Sequence, residues 1–488
     1  MEIALQIGTT EEEAAFARRV GVRHIVWGGP ETPTGYLDLA TLQQAVDFFT
    51  ARGLRLGAVE NVPISFYDRV MFGLPGRDQQ IDNYCRTLAN LGKVGIPVLG
   101  YHWMALGGIS TDQVRGRGGA LERLFDLEAA HRAPAAALDW RGPWRPERPV
   151  HLPDIEVTTE QMWANLEYFL RRVLPAAEAA GVRLAAHPDD APIGSFLGVA
   201  RILSRAEDLL RLVECVPSPA NGLDFCQGTV SEMPGVDVVA AIRQFGRLGK
   251  IHFAHFRDTQ GTVPRFTEVF MDEGDTDMQA AFGAYREVGF EGLLRADHTP
   301  WVAGDNRHAH RGFAFEIGYM RGLAAAGGTH PAADLPAAPR LAMAACLEQD
   351  EDLMLAQQLG ADMVAPHQGA ATIAPAVRNR VSRISLPLVM DAAATLTSAE
   401  GNPDHRPSPP LPRVAYTARD WADSAQTRQL EQALNRPEGT DVIVVERPAP
   451  RPGAPDWPHQ AQAFALGYLR ARVQSRVAVR AAADAGGG

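Results

Sequence analysis

The chain has 488 residues, with 47 Lys and Arg against 58 Asp and Glu, a net charge of −11 that disfavours nucleic acid as a partner. Hydrophobic residues make up 46% and charged residues 22%, which supplies ordinary globular cores and excludes a largely disordered chain. The opening MEIALQIGTTEEEAAFARR lacks the basic head and apolar run of an export signal, and no window reaches the roughly 18 apolar residues of a membrane span. The sequence therefore predicts a soluble, cytoplasmic protein with no membrane partner. Four cysteines, Cys85, Cys215, Cys226 and Cys346, do not make a disulfide framework in so long a chain.

Length suggests two or three domains, although one α/β barrel can absorb 250 residues or more. Up to about residue 325, short β-branched or apolar runs alternate with longer amphipathic stretches. Eight runs stand out: Glu2–Ile7, Val22–Trp27, Arg55–Glu60, Ile96–Tyr101, Val182–His187, Gly222–Cys226, Lys250–His255 and Gly292–Asp297. Eight strands, each followed by a helix, predict a (β/α)8 TIM barrel over residues 1–325, with its active site at the C-terminal ends of the strands. Residues 105–153, rich in Gly, Arg and Pro with little periodicity, read as a long loop or lid.

Residues 326–339 read as a linker of Ala, Gly and Pro. Beyond it, Leu341–Ala365 resembles Ile3–Trp27, and AFALGYLRARV resembles AFEIGYMRGLA. Asp297 precedes Gly318 by the same 21 residues that separate Glu446 from Gly467. Residues 340–475 are therefore expected to form a smaller α/β domain, a truncated and degenerate barrel repeat, with 476–488 as a flexible tail.

Four metal-competent side chains end four successive expected strands: His187, Cys226, His255 and Asp297, at intervals of 39, 29 and 42 residues. A barrel brings all four to one rim. Two imidazoles, a thiolate and a carboxylate suit a first-row divalent ion acting as a Lewis acid, and zinc would accept the same donors. His252, three residues before His255, is expected to face the other side of its strand and pack there. Nearby, His298 could act as general acid or base, Arg257 could hold a carboxylate in a fork, Glu60 could bind substrate or cap the next segment, and Asp189 and Asp190 could orient ligands.

From about Asn83 to Gly322 the chain resembles the mannonate dehydratase family, in the segments NYCRTLANLGKVGIPVLGYHWM, HPDDAPIGSFLGVARI, PSPANGLDFCQGTVSEMPG, IHFAHFRDTQGTVPRF, DEGDTDM and RADHTPWVAGD. The resemblance implies a xylose-isomerase-like barrel that binds Mn(II) or Fe(II) and removes water from D-mannonate to give 2-dehydro-3-deoxy-D-gluconate, in hexuronate breakdown. It places the metal ligands on His187, Cys226, His255 and Asp297, and the catalytic His on His298. The sequence departs from the family in ENVPISFYDRV after the third strand, where the His-Glu pair is lost, and in Met271, which replaces a His. The family's Pro-Gly-Tyr segment is shortened to DNRHAHRGFAFEIGY, where His308 or His310 could stand in for the missing Tyr.

The expected function is thus a metal-dependent hydro-lyase acting on D-mannonate or a related aldonic acid. Its catalytic residues are expected to be His298, Arg257 and Arg295, with Glu60, His102 and Arg257 contacting the small sugar-acid substrate, in a homo-oligomer. The alternatives are a metal-dependent sugar isomerase or epimerase of the same superfamily, and a non-catalytic sugar-acid-binding relative.

Overall fold

The computed structural model describes residues 1–104, 106–132, 156–326, 340–345, 349–366, 413–415, 442–446 and 456–486. Eight parallel strands close a barrel: Glu2–Gln6, His24–Trp27, Arg55–Val59, Val98–His102, Arg183–His187, Asn221–Cys226, Ile251–Phe256 and Leu293–Ala296. Neighbours in the chain are neighbours in the barrel, and the first strand closes on the eighth through Glu2↔Leu293. Every strand begins and ends within two residues of its expected run. The reason is burial: parallel strands covered on both faces read as nearly continuous apolar runs, and the sixth and seventh are buried at every residue.

Inside the barrel, Ala4, Val26, Ala58, Val98, Ala185 and Phe253 pack as one cluster, with Leu293 against it. Five of these six are small or β-branched, which leaves room for the single large ring of Phe253. Helix starts are capped locally. Asp38 accepts from Thr41 N at 2.8 Å, and Thr158 and Gln161 form a reciprocal capping box at the head of Thr159–Ala180.

The stretch after the fourth strand corrects the expected loop at 105–153. Among its described residues, Asp112–Arg115 and Leu121–Asp126 are strands and Leu127–Arg132 is a helix; residues 133–155 lie outside the described part. Strand Arg265–Val269, which folds back on Asp258–Thr262, pairs with Leu121–Asp126 in antiparallel register, Glu268 opposite Arg123. Beneath it Ile109, Phe125, Ala130, Ile193, Phe196 and Phe266 form a second apolar cluster. Local periodicity does not announce this sheet, because its strands are short and pair across about 140 residues.

The chain divides into two compact units. The first comprises Met1–Arg18, Val22–Gln113 and Arg123–His298, and so holds the eight barrel strands; the second comprises Arg19–Gly21, Val114–Glu122 and Thr299–Gly488. In the second unit Arg340–Ala345 lies between Met363–Pro366 and Val442–Glu446, with Arg413–Ala415 at the far edge, all parallel. Helices His310–Ala326 and Trp457–Gly486 pack along each other there. The second helix runs through 476–486, which the sequence suggested as a tail. Among the described residues, no helix is long and apolar enough to cross a membrane.

Candidate metal centre

His187 and Cys226 are the last residues of the fifth and sixth strands, His255 is the penultimate residue of the seventh, and Asp297 directly follows the eighth. Donor atoms of His187, Cys226 and His255 lie within 4.8 Å of one another. Asp297 Oδ2 is 4.0 Å from Cys226 Sγ and 3.7 Å from His255 Nδ1. All four side chains are buried. His187 Nδ1 lies 2.6 Å from the Pro188 carbonyl, a contact that commits this nitrogen as donor and leaves Nε2 as the atom that could ligate a metal.

The electrostatics suit a cation. Burial alone would raise the Cys226 thiol, but the positive charges of Arg257 and His187 outweigh it and bring the group down to about 5. Thr229 adds two donors to the sulfur, its N at 3.4 Å and its hydroxyl at 3.2 Å. Burial likewise works against an ionised Asp297, yet His298, Arg295, His255 and Arg257 hold it well below the usual carboxylate range. In His187 the thiolate overcomes burial and raises the imidazole to about 9. A thiolate, a carboxylate and two imidazoles in one buried cluster fit a divalent ion.

Around these four, Glu60 and His102 stand at the ends of the third and fourth strands. Glu60 Oε2 lies 3.0 Å from His255 Nε2, and Oε1 lies 3.5 Å from His102 Nε2. Burial opposes the Glu60 charge, while Arg295 and His255 restore it and hold the group well below the usual range. Arg295 donates to Gln6 Oε1 at 2.8 Å and pairs with Asp297.

Arg257 is 1% exposed, and all three of its guanidinium nitrogens donate to protein. Nε reaches Asp297 at 2.8 Å, Nη1 reaches Glu232 at 2.9 Å, and Nη2 reaches Asp190 at 2.8 Å. His298 Nδ1 faces Glu268 Oε2 at 2.8 Å and also contacts Arg123 Nη1, while its Nε2 lies 3.6 Å from Asp297 Oδ1. Asp189 accepts from Leu203 N at 2.7 Å. His252 packs as expected, with Nδ1 2.9 Å from the Leu184 carbonyl and burial pushing the ring down to about 4.

The family model of D-mannonate dehydratase (UxuA) matches residues 11–131 and 150–334, more than half of the chain. The chain belongs to this family. It is 31% identical over 332 residues to the mannonate dehydratase of Thermotoga maritima, covering 62% of this chain and 90% of that protein. Against the Streptococcus uberis mannonate dehydratase the identity is 30% over 297 residues, 58% of this chain and 84% of the relative. The crystal structure of mannonate dehydratase from Streptococcus suis serotype 2 superposes with a TM-score of 0.57 at 26% identity, covering 68% of this chain and 97% of that one. The chain is accordingly a carbon–oxygen hydro-lyase of the mannonate dehydratase type.

Several residues of the site escaped the sequence reading. Asp224 lies two positions before Cys226 in the sixth strand, so the period of two puts it on the same inward face. It is wholly buried, with Oδ2 3.1 Å from His255 Nε2 and Oδ1 without a hydrogen-bond partner among the described residues. That signal was available in the spacing. Arg123, Glu232 and Glu268 carried no such signal, because only the tertiary fold brings them to His298 and Arg257. His308 and His310, considered as stand-ins for the missing Tyr, fall in the second compact unit. His310 is buried there, its Nδ1 2.9 Å from Asn306 Nδ2, and burial pushes it down to about 3.

One titration follows directly. In metal-free protein the ultraviolet absorbance of thiolate should contain a component that disappears as pH falls through about 5, belonging to Cys226. Burial raises both Cys85 and Cys215, the latter to about 11, so neither contributes near that pH. Cys346 lies outside the described residues. No thiolate component below pH 7 in the wild type, or one that survives in Cys226→Ser, would contradict the electrostatics described.

Proposed function

We propose that the chain is a divalent-metal-dependent dehydratase that converts D-mannonate, or an aldonic acid of the same C2 and C3 pattern, into the 2-keto-3-deoxy acid. His187, Cys226, His255 and Asp297 would hold Mn(II) or Fe(II). The observation that carries this reading is the cluster of His187, Cys226 and His255 at three consecutive strand ends, with Asp297 after the next strand lying against Cys226 and His255, in a chain of this family. When bound, the ion supplies Lewis acidity that makes the C2 proton of the acid easier to remove.

The chain's own groups then have separate tasks. His298, with Glu268 fixing its Nδ1 side, presents Nε2 to move the proton at C2 or at the departing C3 hydroxyl. The C2–H bond is lost to a base, the C3–O bond breaks, and the hydroxyl leaves as water once protonated; the enol so formed becomes the 2-keto acid. Arg295 and Arg257 hold Asp297 in its ionised form from two sides. Because the Arg257 guanidinium already serves three protein carboxylates, its role is to position Asp297 rather than to clamp substrate. Glu60 and His102 would contact substrate hydroxyls, a role for His102 that its partly exposed side chain, 25%, supports.

Incubating metal-loaded protein with D-mannonate and assaying the 2-keto-3-deoxy acid tests the reading. Product is expected, at a level well above that of His298→Ala. Product no higher than in that variant would overturn it, and deuterium exchange at C2 without loss of water would assign an epimerase instead.

A further inference from the structure

The two units share more than a likeness of sequence. Within the barrel the first strand pairs Glu2↔Leu293 with the eighth and Ala4↔His24 with the second. In the second unit Arg340 pairs with Val442, and Ala342 with Met363. Residues 340 and 342 stand 338 after residues 2 and 4, residue 442 stands 149 after 293, and residue 363 stands 339 after 24. Strand order and direction are thus reproduced, and register too once one residue is inserted between the first strand and the helix that follows it, which a chance match of one βα unit does not require.

The same offset of 149 governs the helix pair that follows. Ala314–Arg321 reads AFEIGYMR and Ala463–Arg470 reads AFALGYLR, placing Gly467 at 318 + 149 and Phe464 at 315 + 149. A β-carbon on Gly318 would overlap the backbone carbonyl of Phe464, and one on Gly467 would overlap the carbonyl of Phe315. Only glycine permits so close an approach of the two backbones. Farther along, a β-carbon on Gly322 would meet Ala471 Cβ at 2.7 Å, and 471 is again 322 + 149. Residue 318 therefore meets the repeat of 315 while the repeat of 318 meets 315 itself. That reciprocity defines an isologous, two-fold contact between two copies of one surface.

We propose that the face of helix His310–Ala326 bearing Gly318 and Gly322 is a self-association surface whose partner is a second copy of the same helix, and that this chain supplies the copy internally as Trp457–Gly486. The interface within the second unit is then a dimer contact folded into one polypeptide. Any oligomer the protein forms uses other surfaces, because this one is filled from within. The inference rests on register and helix contacts alone and stands apart from the metal and substrate.

Disulfide trapping in the full chain tests it. Oxidised Gly322→Cys/Ala471→Cys should form a link within one chain, seen as an unchanged mass and one cross-linked peptide. The two single variants mixed together should give none. A link between chains, or no link at all, overturns the internal pairing. The self-association part has a second readout in light scattering. Gly467→Ala, and more strongly Gly467→Leu, should loosen the internal helix, free the Gly318 face and add chain–chain association that is lost again when Gly318→Leu is combined with it. A folded Gly467→Ala or Gly467→Leu protein with the mass of the wild type overturns that part, and so does association that persists in the double variant.

Discussion

Arg257→Met is expected to destabilise the first unit by about 3–5 kcal/mol, the cost of leaving buried charges without their partner, read as a lower urea midpoint. The guanidinium is 1% exposed and serves Asp190, Glu232 and Asp297 at 2.8–2.9 Å, with Glu268 at 3.6 Å. Burial and the neighbouring Asp190 already push Glu232 well above the usual carboxylate range. Without Arg257, Cys226 and Asp297 also lose a cation that keeps them ionised. Lysine should rescue little, since an ammonium cannot satisfy three carboxylates in the plane of a fork. A loss below about 1 kcal/mol, the size of an exposed ion pair, would show that the carboxylates find other partners.

His298→Asn is expected to lower kcat by about 10²–10⁴-fold, the usual contribution of a positioned general acid or base. Metal content should stay that of the wild type, because Arg295, His255 and Arg257 still favour the ionised Asp297 once the ring's contribution is lost. Glu268→Gln should share the direction with a smaller loss, since Glu268 orients Nδ1 at 2.8 Å without reaching the substrate side. Loss of metal in His298→Asn, or kcat within a few-fold of the wild type, would remove His298 from the proton-transfer role.

How much of this was legible beforehand depended on the range of the interaction. The barrel could be read because each strand is a local apolar run and each helix a local amphipathic one. The four candidate ligands could be read because strand ends recur at intervals of one βα unit. Asp224 was legible in principle, two residues from Cys226, but an acidic residue inside a strand reads first as a break in the apolar pattern. Arg123 and Glu268 were not legible. They meet only when Leu121–Asp126 pairs with Arg265–Val269, and the register of that pairing is set by Phe125, Phe266 and their apolar neighbours rather than by any local signal. The expected fork of Arg257 onto a substrate carboxylate shows the reverse problem. Sequence identifies a residue able to hold a carboxylate, but here the carboxylates belong to the protein itself.

Elemental analysis decides whether His187, Cys226, His255 and Asp297 act as one metal site. Protein loaded with Mn(II) or Fe(II) and freed of excess ion should carry about one ion per chain, and Cys226→Ser/Asp297→Ala, folded by circular dichroism, should carry none. Wild-type protein without bound metal, or a folded double variant that retains as much metal as the wild type, would show that these four side chains do not hold the ion.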